Sequence, residues 1–270
     1  MQNLRICSLY SGSKGNSVFI EAGGAKILID AGKSARALCA ALTEIGVSID
    51  DIDAIFITHE HNDHTSALQT LSHKHNIPMH LMLKSAQIYN GLFDEKLCLC
   101  LALHDKNDFE VQIKDLTVKA FPTPHDSRAS VGYRLTFKDD GEEITIAYAT
   151  DTGHVTDTML ECMLGARYAV IESNHDLDML RDGPYPFDLK VRIASPKGHL
   201  SNADCAALAS RLAECGARAI MLAHLSEENN LPDVALSEVK AAVADGGVVI
   251  EVASQYTPTW LVNLEKNEDL

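Results

Sequence analysis

Thr58-His59-Glu60-His61-Asn62-Asp63-His64 constrains this chain more than any other segment. Three imidazoles and the Asp63 carboxylate fall within six positions, directly after the apolar run Ala54-Ile55-Phe56-Ile57. So dense a set of polar rings adds nothing to a core, and its members repel one another once protonated. Divalent cations would hold them together. Neutral imidazole nitrogens and a carboxylate suit zinc, manganese or iron. The alternative is a solvated charged loop whose histidines are incidental. His-x-His-x-Asp-His at the end of a strand is too specific a pattern for that reading.

The clustered ligands cannot saturate two metals, so others must come from afar. His125, Asp151 and His224 each follow a strand-like run, in Phe121-Pro122-Thr123-Pro124-His125, Ala147-Tyr148-Ala149-Thr150-Asp151 and Ala219-Ile220-Met221-Leu222-Ala223-His224. A ligand at a strand end is held by the sheet while the adjoining loop supplies shape.

The chain has 270 residues, 46% of them hydrophobic, enough for a substantial core. No linker or low-complexity tract divides it, and we expect a single domain over residues 1–270. With 23 basic against 38 acidic residues the net charge is −15. That balance argues against a broad face for polyanions, although bound metals and a local basic segment would still serve a few phosphates. The seven cysteines contain no Cys-x-x-Cys pair. Cys98 and Cys100 alternate along an apolar stretch, which predicts buried free thiols and a reducing compartment. The N-terminus is polar and no apolar run reaches membrane-spanning length, so the expected location is the cytoplasm.

Apolar patterning predicts strands at Leu4–Leu9, Ser17–Ile20, Lys26–Asp30 and Ile52–Ile57, with a helix over Ser34–Ile45 and another over Ser66–His75. Further strands are predicted at Leu116–Phe121, Val131–Phe137 and Ile144–Tyr148, the last two joined by an Asp140-Gly141 hairpin turn. Helices at Asp157–Met163, Leu189–Ile193, Asn202–Cys215 and Asp233–Val243 then alternate with strands at Tyr168–Ile171, Ala219–Ala223 and Val248–Val252. Two roughly similar halves of this kind point to an α/β fold with two packed sheets covered by helices.

The order His-x-His-x-Asp-His, then His, Asp and His resembles the metallo-β-lactamase superfamily. Leu28-Ile29-Asp30-Ala31-Gly32 matches a structural motif of the same superfamily. The resemblance implies a four-layer αββα sandwich with two divalent metal ions between the sheets. Carried over, His59, His61 and His125 would bind one ion, and Asp63, His64 and His224 the other, with Asp151 bridging. Two cations roughly 3.5–4 Å apart would share a hydroxide nucleophile and stabilise charge on a phosphoryl or carbonyl oxygen. Asp63 would also orient that nucleophile. A histidine at position 61, where iron-based oxygen-reducing relatives carry glutamate, favours hydrolysis.

Glu172 and His199 resemble the pair with which tRNA 3′-processing endonucleases of the superfamily protonate the leaving oxygen. Ser8–Ser17, Thr58–His61, Glu172–Asp176, Gly183–Pro186 and Gly198–Asn202 together resemble the WalJ/YycJ-like group. That likeness implies 5′-to-3′ exonuclease activity on double-stranded DNA, with manganese. Lys14 and the Ala194-Ser195-Pro196-Lys197 run depart from it without touching the metal ligands. Ser13, Asn16 and Ser17 are candidates to bind phosphate through the Ser/Gly loop, with a plain hairpin as the alternative. Arg181, Lys190, Arg192 and Lys197 make a local basic excess, of which Arg192 and Lys197 are candidate phosphate contacts. His175 is a further candidate substrate contact. Tyr185 or Phe187 would stack on a base, or else pack against the fold. Two other functions fit the same ligands: a small-molecule hydrolase for cyclic phosphodiesters or thioesters, and a non-catalytic metal-binding regulatory module.

Overall fold

The computed structural model describes residues 4–89, 94–243 and 247–264. Its strands form two seven-stranded sheets. Across the first run β1 (Leu4–Tyr10), β2 (Ser17–Ala22), β3 (Ala25–Ile29), β4 (Ala54–Phe56), β5 (Met79–Met82) and β6 (Leu101–His104). Across the second run β7 (Glu110–Ile113), β8 (Leu116–Pro122), β9 (Val131–Asp139), β10 (Glu142–Ala149), β11 (Tyr168–Glu172), β12 (Ala219–Ala223) and β13 (Val249–Val252). β14 (Thr259–Leu264) returns to the first sheet and pairs antiparallel with β1.

Each sheet begins antiparallel and ends parallel. The change comes after β3 in one and after β10 in the other. Parallel neighbours need crossovers, and helices supply them. α1 (Ala35–Glu44) joins β3 to β4, and α2 (Asn62–Thr65) with α3 (Leu68–His75) joins β4 to β5. α4 (Leu83–Ala86) and α5 (Glu95–Cys100) lie between β5 and β6, and α6 (Asp157–Met163) between β10 and β11. α7 (Leu177–Asp182), α8 (Phe187–Ile193) and α9 (Asn202–Glu214) fill the long passage to β12, and α10 (Pro232–Ala242) leads to β13.

Alternation along the strands sorts side chains into layers. Ile6, Ile20, Ile29 and Phe56 face Val118, Tyr133, Ile146 and Met221 in the space between the sheets. On the outer side of the first sheet Leu9, Phe19 and Leu28 pack on Leu38, Leu42 and Leu71 of the helices. Outside the second, Ile171, Ile220 and Leu222 meet Met163, Leu208 and Val239. The four-layer αββα sandwich follows, because both faces of both sheets need apolar cover.

The Asp140-Gly141 turn is present, with φ of 49° and 87°, the left-handed pair that a two-residue hairpin needs. The expected strand over Lys26–Asp30 stops one residue early, because Asp30 turns left-handed at φ 63°. Cys98 and Cys100 do not form a buried strand pair. They lie in α5, whose inward face is taken by Leu97, so Cys98 is exposed and Cys100 half-buried. All seven cysteines are free thiols. No helix among the described residues is long and apolar enough to cross a membrane.

Candidate metal centre

The parallel strands deliver their carboxyl ends to one region, the place where open α/β sheets bind ligands. β3 leads to Asp30, and β4 leads through Thr58 to His59. β8 leads to His125, β10 to Asp151, β11 ends at Glu172 and β12 leads to His224. α2 starts at the His61 cap and turns Asp63 and His64 toward the same point.

Donor atoms of His59, His61 and His125 lie within 4.8 Å of one another, and so do those of Asp63, His64 and His224. Asp151 stands between the two triads. Its Oδ2 is 3.4 Å from His64 Nε2, and its Oδ1 is 3.5 Å from His224 Nε2 and 3.8 Å from His125 Nε2. The buried atoms His125 Nε2, His224 Nε2 and Asp151 Oδ2 have no hydrogen-bond partner. Burying such atoms unsatisfied costs about 1–3 kcal/mol each. Divalent cations would satisfy all three, so the residues fit the metals that the sequence implies.

A second set of groups aims the rings. His64 Nδ1 lies 2.8 Å from Asp30 Oδ2, and His125 Nδ1 lies 3.0 Å from the Gly198 carbonyl. His224 Nδ1 is 3.1 Å from Glu172 Oε1, and His59 Nδ1 is 3.0 Å from Thr58 Oγ1. Each such contact leaves the Nε2 of its ring for the centre, the arrangement that fixes tautomer and orientation in metal sites. Glu172 Oε1 also meets His199 Nδ1 at 2.7 Å, while its Oε2 accepts the Thr152 amide at 2.8 Å. One fully buried carboxylate therefore holds both the His224 ring and the His199 ring beside it.

Charge is arranged to match. Burial, with His64, His125 and His61 nearby, keeps His59 well below the ordinary histidine range. Burial likewise lowers His125. Both rings are thereby neutral at physiological pH. Burial opposes the proton on His224, but Asp151, Asp63 and Glu172 overcome it and raise the ring to about 10. Burial also opposes the proton on His64, where Asp151 and Asp30 win. Against burial, Asp63 is held below the usual carboxylate range by His224 and His64, Asp151 by His224, His64 and His125, and Glu172 by His199 and His224. Asp63, Asp151 and Glu172 therefore stay ionised at the centre, their charge partly balanced by His64 and His224.

The loop between β1 and β2 closes one side. The Asn16 amide nitrogen lies 3.3 Å from Asp63 Oδ2, and its carbonyl oxygen accepts the Gly12 N–H at 2.9 Å. Gly32 makes this approach feasible, since a Cβ there would sit 1.5 Å from the Asp63 carbonyl oxygen. Ser17 is fully buried and its hydroxyl donates to the Asp30 carbonyl at 2.8 Å. Ser13 is exposed and lines a cavity of about 210 Å³ together with His199, Tyr185, Arg192 and Asn174. Arg192 lines that cavity while paired with Asp126, and Lys197 lies in a separate cleft. His175 is buried, its main chain bridged to Ser201 and its Nδ1 without a partner. Phe187 is 77% exposed. The structure thus gathers all seven expected ligands with Glu172 and His199, turns the Ser17 hydroxyl to the Asp30 carbonyl, and places Lys197 with His125 in the wall of a neighbouring cleft.

Asp30 and Thr58 do more for the centre than their sequence context announces. The Thr58 amide and hydroxyl donate to Asp30 Oδ1 and Oδ2 at 2.8 and 2.9 Å, which locks the carboxylate that aims His64. Arg128, Lys84 and Lys106, scattered along the sequence, carried no signal.

Residues 25–225 match the Beta-lactamase superfamily domain. The chain is 36% identical over 249 residues to "Exodeoxyribonuclease WalJ" of Streptococcus pneumoniae serotype 2, covering 90% of each. It is 34% identical over 248 residues to "Exodeoxyribonuclease YycJ" of Bacillus anthracis, again over 90% of each. Among solved structures, the metallo-β-lactamase fold protein YhfI of Bacillus subtilis superposes with a TM-score of 0.71 at 18% identity, over 96% of this chain and 100% of that one. With its ligand set gathered at the strand ends of the αββα sandwich, the chain belongs to the beta-lactamase superfamily.

Proposed function

We propose that this protein is a metal-dependent phosphodiesterase that degrades double-stranded DNA from its ends in the 5′-to-3′ direction. It forms a single domain, acts in the cytoplasm and holds two divalent cations, manganese by preference. Divalent cations held there supply Lewis acidity and an activated water. His59, His61 and His125 would hold one cation and Asp63, His64 and His224 the other, with Asp151 available to both.

The rest of the chemistry falls to the chain itself. Glu172 accepts from His199 Nδ1, so His199 Nε2 is the nitrogen turned to the reacting phosphate. Cleaving a phosphodiester expels an alkoxide, and a positioned imidazolium supplies its proton. Glu172 stabilises that imidazolium and keeps its ring from rotating. The leaving nucleoside lies in the cavity of about 210 Å³ beside His199, where Tyr185 lines the wall and Ser13 lies at the loop. Asn16 holds Asp63 in place, and Asp63 orients the nucleophile.

The Glu172–His199 contact carries this reading. A non-catalytic metal module has no use for a proton donor beside its ligands, and a thioesterase, whose leaving thiolate needs no proton, has little. The relatives over 90% of the chain are named exodeoxyribonucleases, which supports DNA as the substrate. The test is direct. Purified protein with manganese should shorten linear duplex DNA and leave covalently closed circles intact, and His61→Ala should abolish the activity. End-labelled duplexes report the direction. Linear DNA left whole with manganese, zinc and iron in turn would overturn the reading.

A further inference from the structure

A second cleft of about 510 Å³ adjoins the metal centre, with the metal-ligand residue His125 in its wall. Lys84, Lys106, Arg128 and Lys197 line it, together with Asp105 and Asp108. They come from α4, the β6–β7 connection, the β8–β9 connection and the approach to His199. All four cations are exposed, and among the described residues none pairs with a carboxylate. Other basic side chains with a carboxylate in reach are paired with it. Lys14 pairs with Glu227, Lys26 with Asp51, Lys114 with Asp53, Arg167 with Glu142, and Arg192 with Asp126. Arg181 is clasped by Asp178 and Asp182 at 2.6 and 2.8 Å.

We propose that this cleft carries the sugar–phosphate backbone of the retained DNA strand as it leaves the metal centre. The assignment rests on the reading of the centre as a DNA phosphodiesterase. In a chain of net charge −15, unpaired cations in the wall that holds a metal ligand are matched to a polyanion. The walls are fixed rather than floppy. The Glu60 carboxylate accepts the Arg128 amide at 2.6 Å, and Ser85 Oγ donates to the Ala129 carbonyl at 2.9 Å, which ties α4 to the β8–β9 connection. His125 faces this cleft while Asp126 faces the smaller cavity, and Lys197 faces it while Gly198 and His199 face the smaller one. The two segments partition the surface. Leaving nucleoside and retained strand thus fall on different sides of the reacting phosphate, as hydrolysis from an end requires. Asp105 and Asp108 weaken the field and keep binding from becoming too tight to release.

The test uses metal-loaded protein carrying His199→Ala to slow cleavage, and a fluorescein-labelled 20-base-pair duplex followed by anisotropy at several salt concentrations. Each phosphate contact contributes about 0.9 to the slope of log affinity on log salt. Adding Lys84→Ala, Lys106→Ala and Arg128→Ala should lower that slope by about 2–3 and weaken binding roughly 10–100-fold near 0.1 M salt. Adding Asp105→Asn and Asp108→Asn instead should tighten binding, a change of opposite sign that no folding defect produces. Thermal denaturation checks the triple variant for its fold. An unchanged salt slope in a protein whose wild type degrades DNA overturns the cleft assignment alone. A wild type that leaves DNA whole overturns the reading of the centre, and the cleft assignment with it.

Discussion

The Asp30 carboxylate and the His64 ring meet at 2.8 Å, Oδ2 to Nδ1, and neither side chain touches solvent. Burial raises the Asp30 carboxyl above its ordinary value, while His64 and the Thr58 donors work against that shift. An aspartate outside the candidate ligand set therefore decides which nitrogen of His64 faces the proposed metal centre. Asp30→Asn keeps the size and removes the charge. Groups of this kind are worth about 10–100-fold in metal affinity. Chelator competition on the purified variant should show a loss of that size. Wild-type affinity would mean that backbone geometry alone aims His64.

His199→Ala should lower DNA hydrolysis by about 10²–10⁴-fold with metal content unchanged. A thymidine p-nitrophenyl phosphodiester has a leaving group that needs no proton, so its turnover should fall far less. Equal losses on the two substrates would assign His199 to binding rather than to proton transfer.

Removing the metals should destabilise the fold, because the ligands come from both sheets and leave buried donors unsatisfied. Metal present at about 100 times its dissociation constant contributes about 2.7 kcal/mol. Thermal denaturation with and without a chelator should then differ by roughly 5–10 °C. Coincident melting curves would show a centre indifferent to its ions.

His80 gives the fold an acid-sensitive element away from the metals. Its ring stacks on Phe56 and lies 3.0 Å from His104. Burial first, then His104, lowers it to about 4. The unfolded chain takes up this proton near pH 6.5 and the folded chain only near 4. Stability from this group is therefore fully present above 6.5 and is lost progressively as pH falls from 6.5 to 4. His80→Gln should flatten the pH dependence of the denaturation midpoint in that window. The same slope in both proteins would exclude His80 as its source.

Gly32→Ala should cost more than the usual 1–3 kcal/mol of an overpacked core, because the added carbon meets the Asp63 main chain at 1.5 Å. Relief requires the loop that carries Asp63 and His64 to move. Both the denaturation midpoint and metal affinity should fall together. A variant of normal stability and affinity would show that loop to be more yielding than its contacts imply.

Much of this architecture is legible in the residue pattern. Ala54–Phe56, Ala147–Ala149 and Ala219–Ala223 are buried strand segments that lead to candidate ligands, and apolar runs stopped by His or Asp announce both features at once. Met79–Met82, Leu101–His104, Glu110–Ile113 and Thr259–Leu264 escaped detection. The first two are four residues long, the third is a half-exposed edge, and the last is defined only by its pairing with β1. Charge was harder to read than hydrophobicity. Within the basic run from Arg181 to Lys197, Asp178 and Asp182 clasp Arg181 and Asp126 pairs with Arg192, while Lys197 opens on the larger cleft. Lys84, Lys106, Arg128 and Lys197 converge from four segments spread over more than a hundred residues, a proximity only tertiary structure creates. Cys98 and Cys100 were misplaced because alternation in a short apolar run does not distinguish a strand from one turn of helix.

Asp30, Asp151 and His224 all adopt left-handed backbone, with φ of 63°, 57° and 58°. Such conformations cost on the order of 1 kcal/mol each in residues other than glycine. A glycine at any of the three would relax the main chain and abolish a group the metals need. Laboratory evolution that screened only for heat resistance in the presence of a chelator would therefore drift toward an inert protein at these positions. Thermostable yet inactive variants carrying glycine there are what such a screen should return.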